Sequence, residues 1–225
     1  MAEVISLIEN NIADEELRMQ KRVIWMAIYL LVLFWSVSNP KDMFTWWLEA
    51  IPALIALPIL FFSRKSFPLT TLAYALILVH CCVLFVGARY TYAEVPLFDW
   101  LAQVMGSERN NYDKVGHFAQ GFIPVILARE IFIRKQVMQI GAWCQFLAVC
   151  FVLAFSAFYE LVEWWVAIAT GENAEAFLGT QGYVWDTQSD MFLALIGGVC
   201  GLLLLSSLHN KQIATKMALN QPSAS

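Results

Sequence analysis

Residues 111–122, Asn-Tyr-Asp-Lys-Val-Gly-His-Phe-Ala-Gln-Gly-Phe, open an apolar segment that decides how the whole chain is interpreted. Helical periodicity places Asp113 and His117 one turn apart on the same face of this segment. An ionisable side chain is costly inside a membrane helix, so this pair marks a candidate functional site. Two later acidic stretches, residues 160–163 and 186–190, lie in or beside further apolar segments and are candidates to join it.

The composition is that of a membrane protein. Of the 225 residues, 60% are hydrophobic and 14% are charged, and the mean hydropathy is +0.61. These values lie outside the usual range of a soluble globular domain. The net charge of −4 argues against nucleic acid as a partner, because phosphate binding needs a concentrated basic surface. The five cysteines lie inside apolar runs and are interpreted as packing residues.

The apolar segments predict an all-α integral membrane six-helix bundle. Its spans cover about residues 23–37, 44–62, 69–88, 113–133, 142–169 and 186–208. Residues 1–22 are predicted to form a cytoplasmic amphipathic leader, and residues 209–225 a cytoplasmic tail. The leader is acidic, unlike a cleaved signal peptide, so the first span is expected to be retained. The loop at 90–112 is expected to contain a short interfacial helix.

The distribution of basic residues predicts the orientation. Lysine and arginine concentrate in cytoplasmic loops. Six spans with both termini inside leave only Lys41, Arg89, Arg109 and Lys114 on the outer side. Most tryptophans then lie toward the outer face, where an amphipathic ring favours the interface. Both signals predict cytoplasmic termini.

In this topology six ionisable residues share one depth near the outer face: Asp113, His117, Glu160, Glu163, Asp186 and Asp190. Helix capping is an alternative explanation for Asp113 and Asp186, which each begin a helix. Capping does not explain the other four, which lie a turn or more inside. Glu49 is either a pocket wall or an interfacial residue, and His80 is interpreted as a core histidine with its hydrogen bonds satisfied.

Acids packed around one imidazole need either a counter-charge or bound protons. The first interpretation is a divalent metal, Zn²⁺, Mn²⁺ or Mg²⁺, held by Asp113, His117, Asp186 and Asp190. The catalytic candidates are His117, Glu163 and Glu160. Glu163 is predicted to act as general base, and Glu160 to support the metal ligands. The second interpretation is a proton-sharing cluster that binds a cationic or hydrogen-bonding ligand, or relays protons.

Three further residues are predicted to bind substrate: Arg89, Lys114 and Gln188. For Arg89 two other roles stay open, which are to neutralise a carboxylate or to extend its charge to the membrane surface.

Three motifs carry a resemblance to a known family: Tyr-Asp-Lys-Val-Gly-His-Phe at 112–118, Glu-Leu-Val-Glu-Trp-Trp at 160–165 and Trp-Asp-Thr-Gln-Ser-Asp-Met at 185–191. With them, most of the chain resembles the YjdF-like bacterial inner-membrane proteins. More distantly, the second half resembles the VanZ-like membrane proteins, whose founding member is linked to teicoplanin resistance. VanZ-like proteins often have an Asn and a Gly a turn or two further on, where this chain has Ala194 and residues 197–198. The resemblance implies a multi-pass inner-membrane protein, supports the site and leaves the reaction open.

The leading hypothesis is a metal-dependent hydrolase or transferase that acts on a lipid or lipid-linked envelope substrate entering from the outer leaflet. The alternative is a non-enzymatic binder of amphiphiles or glycopeptides. A third hypothesis is an ion or proton pathway, which would need polar residues continuing inward from Glu160, where spans four to six have few.

Overall fold

The computed structural model describes residues 2–171, 175–178 and 180–219. Helices and their connecting turns account for these ranges, which contain no β-strand. The predicted all-α class is therefore confirmed. Residues 220–225 of the predicted tail and residues 172–174 of the loop before span six lie outside the description.

The described residues form α1 (Ala2–Ser38), α2 (Met43–Ser63), α3 (Thr71–Arg89), α4 (Pro96–Met105), α5 (Tyr112–Phe122), α6 (Pro124–Arg134), α7 (Ala142–Thr170), α8 (Glu175–Leu178) and α9 (Asp186–Leu219). Five segments are long and apolar enough to cross a membrane: Glu15–Ser38 in α1, the whole of α2, α3 and α7, and Asp186–Ala218 in α9. The helix α4 lies in the loop where a short helix was expected.

The predicted leader and the predicted first span join without a break in α1. Residues 2–38 contain neither glycine nor proline, so nothing in the sequence interrupts the helix. It ends at Ser38, just before the Asn39-Pro40 pair, because proline disfavours a helical conformation in the residue before it.

The predicted fourth span, residues 113–133, is wrong as a single helix. The structure has two helices, α5 and α6, separated at Ile123. Pro124 causes the break, because proline has no backbone N–H and its ring clashes with the carbonyl four residues earlier. The helix α9 continues to Leu219, beyond the predicted end of span six at residue 208.

Glycines hold α5 and α9 in direct backbone contact. A Cβ atom added at Gly121 would overlap the carbonyl oxygen of Ala194, and one at Gly197 would overlap the carbonyl oxygen of Phe118. A Cβ at Gly201 would come within 2.6 Å of the carbonyl oxygen of Phe122. Small residues permit this close approach of membrane helices. It brings the first turns of α5 and α9 together.

Two apolar cores flank that contact. One lies among α1, α2 and α3 and includes Tyr29, Trp46 and Phe85. The other lies among α6, α7 and α9 and includes Val125, Val152 and Leu202. The helix α3 packs against α5 and so joins the two halves of the bundle.

Candidate functional site

Three helices bring acids to His117. The imidazole Nε2 lies 3.3 Å from Asp113 Oδ1, one turn earlier on α5, and 3.9 Å from Asp190 Oδ2 on α9. The imidazole Nδ1 lies 3.9 Å from Glu160 Oε1 on α7. Glu163, one turn further along α7, has a carboxylate oxygen within 4.8 Å of a ring nitrogen of His117. We call these five residues, Asp113, His117, Glu160, Glu163 and Asp190, the His117 cluster.

A glutamine fixes the direction in which the imidazole presents its lone pair. His117 Nδ1 lies 3.1 Å from Gln120 Oε1, which accepts a hydrogen bond. In the neutral imidazole the proton is then on Nδ1, and Nε2 carries a lone pair. That lone pair faces carboxylate oxygens of Asp113 and Asp190. Three electron-rich atoms therefore converge on one point, where a cation or an added proton is required.

The carboxylates of the His117 cluster also carry buried oxygens without hydrogen-bond partners. They are Asp113 Oδ2, Glu160 Oε1 and Asp190 Oδ1. Only 3% of Asp190 and 8% of Glu160 is exposed, so water does not compensate these oxygens freely. His117, Asp113 and Asp190 each offer a ligand atom within 4.8 Å of the others, as do His117, Glu160 and Glu163.

Asp186 is engaged elsewhere. It forms an ion pair with Arg109, which also lies 3.9 Å from Asp113 Oδ2 and donates to the carbonyl of Thr180. Arg109 thus supplies the positive charge that was considered for Arg89. Of the four predicted metal ligands, the structure brings Asp113, His117 and Asp190 together and turns Asp186 toward Arg109.

Two hydrogen bonds join the loop before α5 to the loop before α9. The backbone N–H of Asn110 donates to Gln181 Oε1 at 2.9 Å, and Gln181 Nε2 donates back to the Asn110 carbonyl at 2.8 Å. Because Asn110 lies just before α5 and Gln181 just before α9, this pair fixes the relative position of the two helix starts.

A cavity opens on one side of the cluster. Asp113, His117, Gln120 and Glu163 contribute to its wall. The rest of the wall comes from other elements, with Glu49, Pro52, His80, Leu84, Tyr92, Gly116, Phe155, Tyr159 and Phe177. Its volume is about 50 Å³. Of the two roles considered for Glu49, the structure shows the one in the pocket wall. His80 was expected in the core, but it also lines the cavity.

The three predicted substrate-binding residues do not line this cavity. Arg89 donates to the carbonyl of Trp35 and to Ser38 Oγ, so it ties the end of α3 to the end of α1. The Lys114 ammonium lies 5.9 Å from the centre of the Tyr183 ring, and Gln188 is exposed. Their predicted role has no support from the cavity geometry.

A second buried polar group at the other end of α6 was missed by the sequence analysis. Glu130 accepts hydrogen bonds from Thr70 N at 2.9 Å, Thr70 Oγ1 at 2.7 Å and Arg134 Nη1 at 2.6 Å. His209 Nε2 lies 3.1 Å from Glu130 Oε2, and its Nδ1 lies 3.0 Å from Arg129 Nη1. We call Thr70, Arg129, Glu130, Arg134 and His209 the Glu130 network.

The Glu130 network satisfies the hydrogen bonds of its glutamate and histidine. An arginine can only donate, so His209 Nδ1 accepts from Arg129 and the histidine proton lies on Nε2, directed at Glu130. No atom of Glu130 or His209 is among the buried polar atoms without partners in the described part of the chain. This self-sufficiency indicates a structural role. His209 was missed because the predicted span six ended one residue before it.

The apolar helices and the buried acid–histidine cluster define a multi-pass integral membrane protein. The chain belongs to the family described as "Predicted membrane protein (DUF2238)", whose model matches residues 21–211. It is 44% identical over 183 residues to the inner membrane protein YjdF of Escherichia coli (strain K12), a match that covers 81% of this chain and 88% of the relative. The predicted YjdF-like family and the inner-membrane location are therefore confirmed. No solved structure matches the chain.

Proposed function

We propose that the His117 cluster binds one divalent metal ion and hydrolyses, or transfers a group from, a lipid or lipid-linked headgroup. One observation carries the proposal: Asp113 Oδ1 and Asp190 Oδ2 converge on His117 Nε2, at 3.3 Å and 3.9 Å from this nitrogen. Like charges at this separation are unfavourable in a buried site unless a cation or a proton joins them, and a divalent ion compensates both carboxylates at once.

The donor set suits a catalytic metal. Zinc and manganese accept one imidazole and two carboxylates, and three protein ligands leave a coordination position for water or substrate. Metal–ligand bonds of about 2.0–2.2 Å allow ligand atoms to lie near the separations of 3.3 Å and 3.9 Å found here. The hydrogen bond from Nδ1 to Gln120 orients the ring, as outer partners of metal-bound histidines do.

Glu163 is the best-placed general base, because it lies in the cavity wall beside His117. In a hydrolysis, the water oxygen bonds to the reacting phosphorus or carbonyl carbon while the bond to the leaving oxygen breaks. Glu163 takes a proton from the water and returns one to the leaving oxygen. Glu160 supports the imidazole from the other side at 3.9 Å.

The proposed substrate follows from the proposed topology. We take α5 and α6 together as a sixth span, broken at Pro124, since residues 112–134 would extend roughly 33 Å at about 1.5 Å per residue. With six spans and cytoplasmic termini, the His117 cluster lies near the periplasmic surface, at the depth of lipid headgroups. A lipid entering sideways would bring its headgroup ester to the cavity without leaving the membrane.

The test is an assay of the purified protein in nanodiscs that contain phosphatidylethanolamine, phosphatidylglycerol and cardiolipin. Lipid products are followed by mass spectrometry with Mn²⁺ or Zn²⁺ present and after chelation. We expect product only with metal, and a loss of at least about 100-fold in Glu163→Gln. Glu94→Gln is the matched control, because Glu94 pairs with Lys41 at the surface. Metal-loaded protein that forms no product from any of these lipids would contradict the enzymatic proposal.

A non-enzymatic binder of amphiphiles is the second candidate, favoured by the aromatic residues Tyr92, Phe155, Tyr159 and Phe177 in the cavity wall. A binder would keep its ligand affinity after chelation. The ion or proton pathway has less support. The apolar residues Val125, Ile126, Val152 and Leu202 lie along α6, α7 and α9 between the His117 cluster and the Glu130 network.

A further inference from the structure

Glu49 is a buried acid for which the metal proposal has no use. Glu49 is 4% exposed and lines the cavity, and its Oε2 atom has no hydrogen-bond partner. Neither Glu49 nor Glu163 takes part in an ion pair within the described part of the chain. A buried carboxylate is costly without a compensating cation or donor. The cavity therefore has, on its α2 side, a carboxyl group that a bound cation would compensate.

Aromatic side chains share the cavity wall with Glu49. Tyr92, Phe155, Tyr159 and Phe177 all contribute to the same cavity wall. The negative face of an aromatic ring attracts an ammonium ion, and cages of such rings bind quaternary ammonium groups. The volume of about 50 Å³ is several times the roughly 10–15 Å³ that one water molecule needs. The combination of rings with unpaired carboxylates is complementary to a small organic cation.

The backbone conformation at Tyr92 is energetically unfavourable. Thr91 and Tyr92 have φ angles of 52° and 53°, which side chains other than glycine rarely adopt. The ring lies between two glycines, because a Cβ at Gly87 would overlap it and one at Gly116 would lie 2.7 Å from its Cε1. Burial raises the pKa of the Tyr92 phenol well above its usual range, so the hydroxyl stays neutral. Strain of this kind is concentrated at functional sites.

We propose that Glu49, Tyr92 and Tyr159 form a subsite for the ammonium group of the substrate headgroup, with Glu49 as its counter-charge. This inference rests on the proposed function, because the reacting ester would lie beside it at the His117 cluster. The ammonium of an ethanolamine or of a choline headgroup has the same essential chemistry, a cation joined to a phosphate by two carbons. We call the three residues the ammonium subsite.

The experiment is a titration of detergent-purified, metal-loaded protein with choline, with ethanolamine and with 3,3-dimethyl-1-butanol, the neutral isostere of choline. Binding is measured by calorimetry. We expect at least one cation to bind about 10-fold more tightly than the neutral alcohol. Tighter binding of choline would indicate a quaternary ammonium headgroup, and tighter binding of ethanolamine a primary one. Equal binding of the charged and neutral compounds, or no binding of either cation, would overturn the subsite.

Variants separate this inference from the metal site. Glu49→Gln should remove the preference for the cation while the protein keeps its metal, since Glu49 is not among the residues that converge on His117. Tyr159→Leu should weaken cation binding in the same way, and Glu94→Gln should leave it unchanged. A Glu49→Gln protein that keeps the full preference overturns the role of Glu49. If the wild-type protein binds no metal but still prefers the cation, the proposed reaction fails and the subsite stands.

Discussion

At the residue scale, His117 is the side chain on which the site depends. Its Nε2 faces two acids and its Nδ1 faces Gln120 and Glu160. A single ring therefore links α5 to α7 and α9. Gln120 fixes the orientation of the imidazole, which would be a metal ligand in the proposed site.

The first prediction concerns Gln120. Gln120→Leu removes the acceptor for His117 Nδ1–H and lets the ring change tautomer or rotate. We expect the affinity for Mn²⁺ or Zn²⁺ to fall about 10- to 100-fold, as measured by calorimetry. Gln103→Leu, at an exposed position on α4, is the control. An unchanged affinity in Gln120→Leu would show that this hydrogen bond does not orient a ligand.

The second prediction concerns the start of α2. Asp42 caps this helix by accepting a hydrogen bond from Thr45 N at 2.6 Å, and this bond lowers the pKa of the Asp42 carboxyl. Asp42→Ala should reduce the free energy of unfolding by about 1 kcal/mol, whereas Asp42→Asn, also a good cap, should lose less. Thermal unfolding in detergent measures both.

The pH dependence of this cap has a defined sign. Because the folded state lowers the pKa of Asp42, the charged cap stabilises the fold above the unfolded-state pKa of about 3.9. The contribution is lost as the pH falls through the lower, folded-state pKa. The difference in melting temperature between wild type and Asp42→Asn should therefore shrink below about pH 4. A difference that grows there would contradict the capping role.

Most residues of the cluster could be predicted from the sequence, because an acid or a histidine in an apolar helix is conspicuous. Tyr92 could not, since a tyrosine in a polar loop is ordinary and its position depends on two distant glycines. Arg109 and Arg89 were confused for a similar reason. Both are basic residues of the predicted outer side, and only the folded loops show which of them reaches an acid.

At the element scale, the contact between α5 and α9 positions the site. Gly197→Leu would force these two backbones apart, because even a Cβ at this position overlaps the carbonyl oxygen of Phe118. We expect this variant to lose metal binding and to unfold at a clearly lower temperature. Gly141→Ala is the control, since its added Cβ would meet no atom within 4 Å and its φ of 169° suits any residue.

A Gly197→Leu protein with wild-type metal affinity would contradict the importance of this close contact. The sequence shows the small residues of both segments, but only the structure shows that Gly121 and Gly197 bring these two helices together. The sequence did not predict the break between α5 and α6, although Pro124 gave the signal, because the apolar run continues across it. A hydropathy profile shows the apolar segment, but it does not show the backbone hydrogen bond that the proline removes from the helix.

At the scale of the whole molecule, two buried polar groups lie toward opposite ends of α5–α6 and α9. The His117 cluster has unpartnered oxygens, whereas the hydrogen bonds of Glu130 and His209 in the Glu130 network are satisfied. An apolar core lies between them. This contrast separates a site that awaits a ligand from one that holds helices together. Sequence periodicity did not reveal the network, because it depends on contacts between α6, α9 and the start of α3.

The fourth prediction tests this division. Glu130→Leu leaves Arg134 and His209 without their buried acceptor. We expect a loss of about 3–5 kcal/mol in stability, measured by denaturant or thermal unfolding, with metal stoichiometry unchanged in the protein that folds. Glu94→Gln, on the surface, should change neither quantity. A stable Glu130→Leu protein that no longer binds metal would mean that the two groups are coupled.

The most direct test of the central claim is the metal content of the purified protein. Wild-type protein, Asp190→Asn and the surface control Glu94→Gln are prepared in detergent, equilibrated with Mn²⁺ or Zn²⁺ and analysed for bound metal per chain. We predict about one ion per chain in the wild type and in Glu94→Gln, because Asp113, His117 Nε2 and Asp190 form one ligand set, whereas His117 Nδ1 is engaged with Gln120. The ion should be lost in Asp190→Asn. Equal metal content in all three proteins, or none in any, would contradict the metal site.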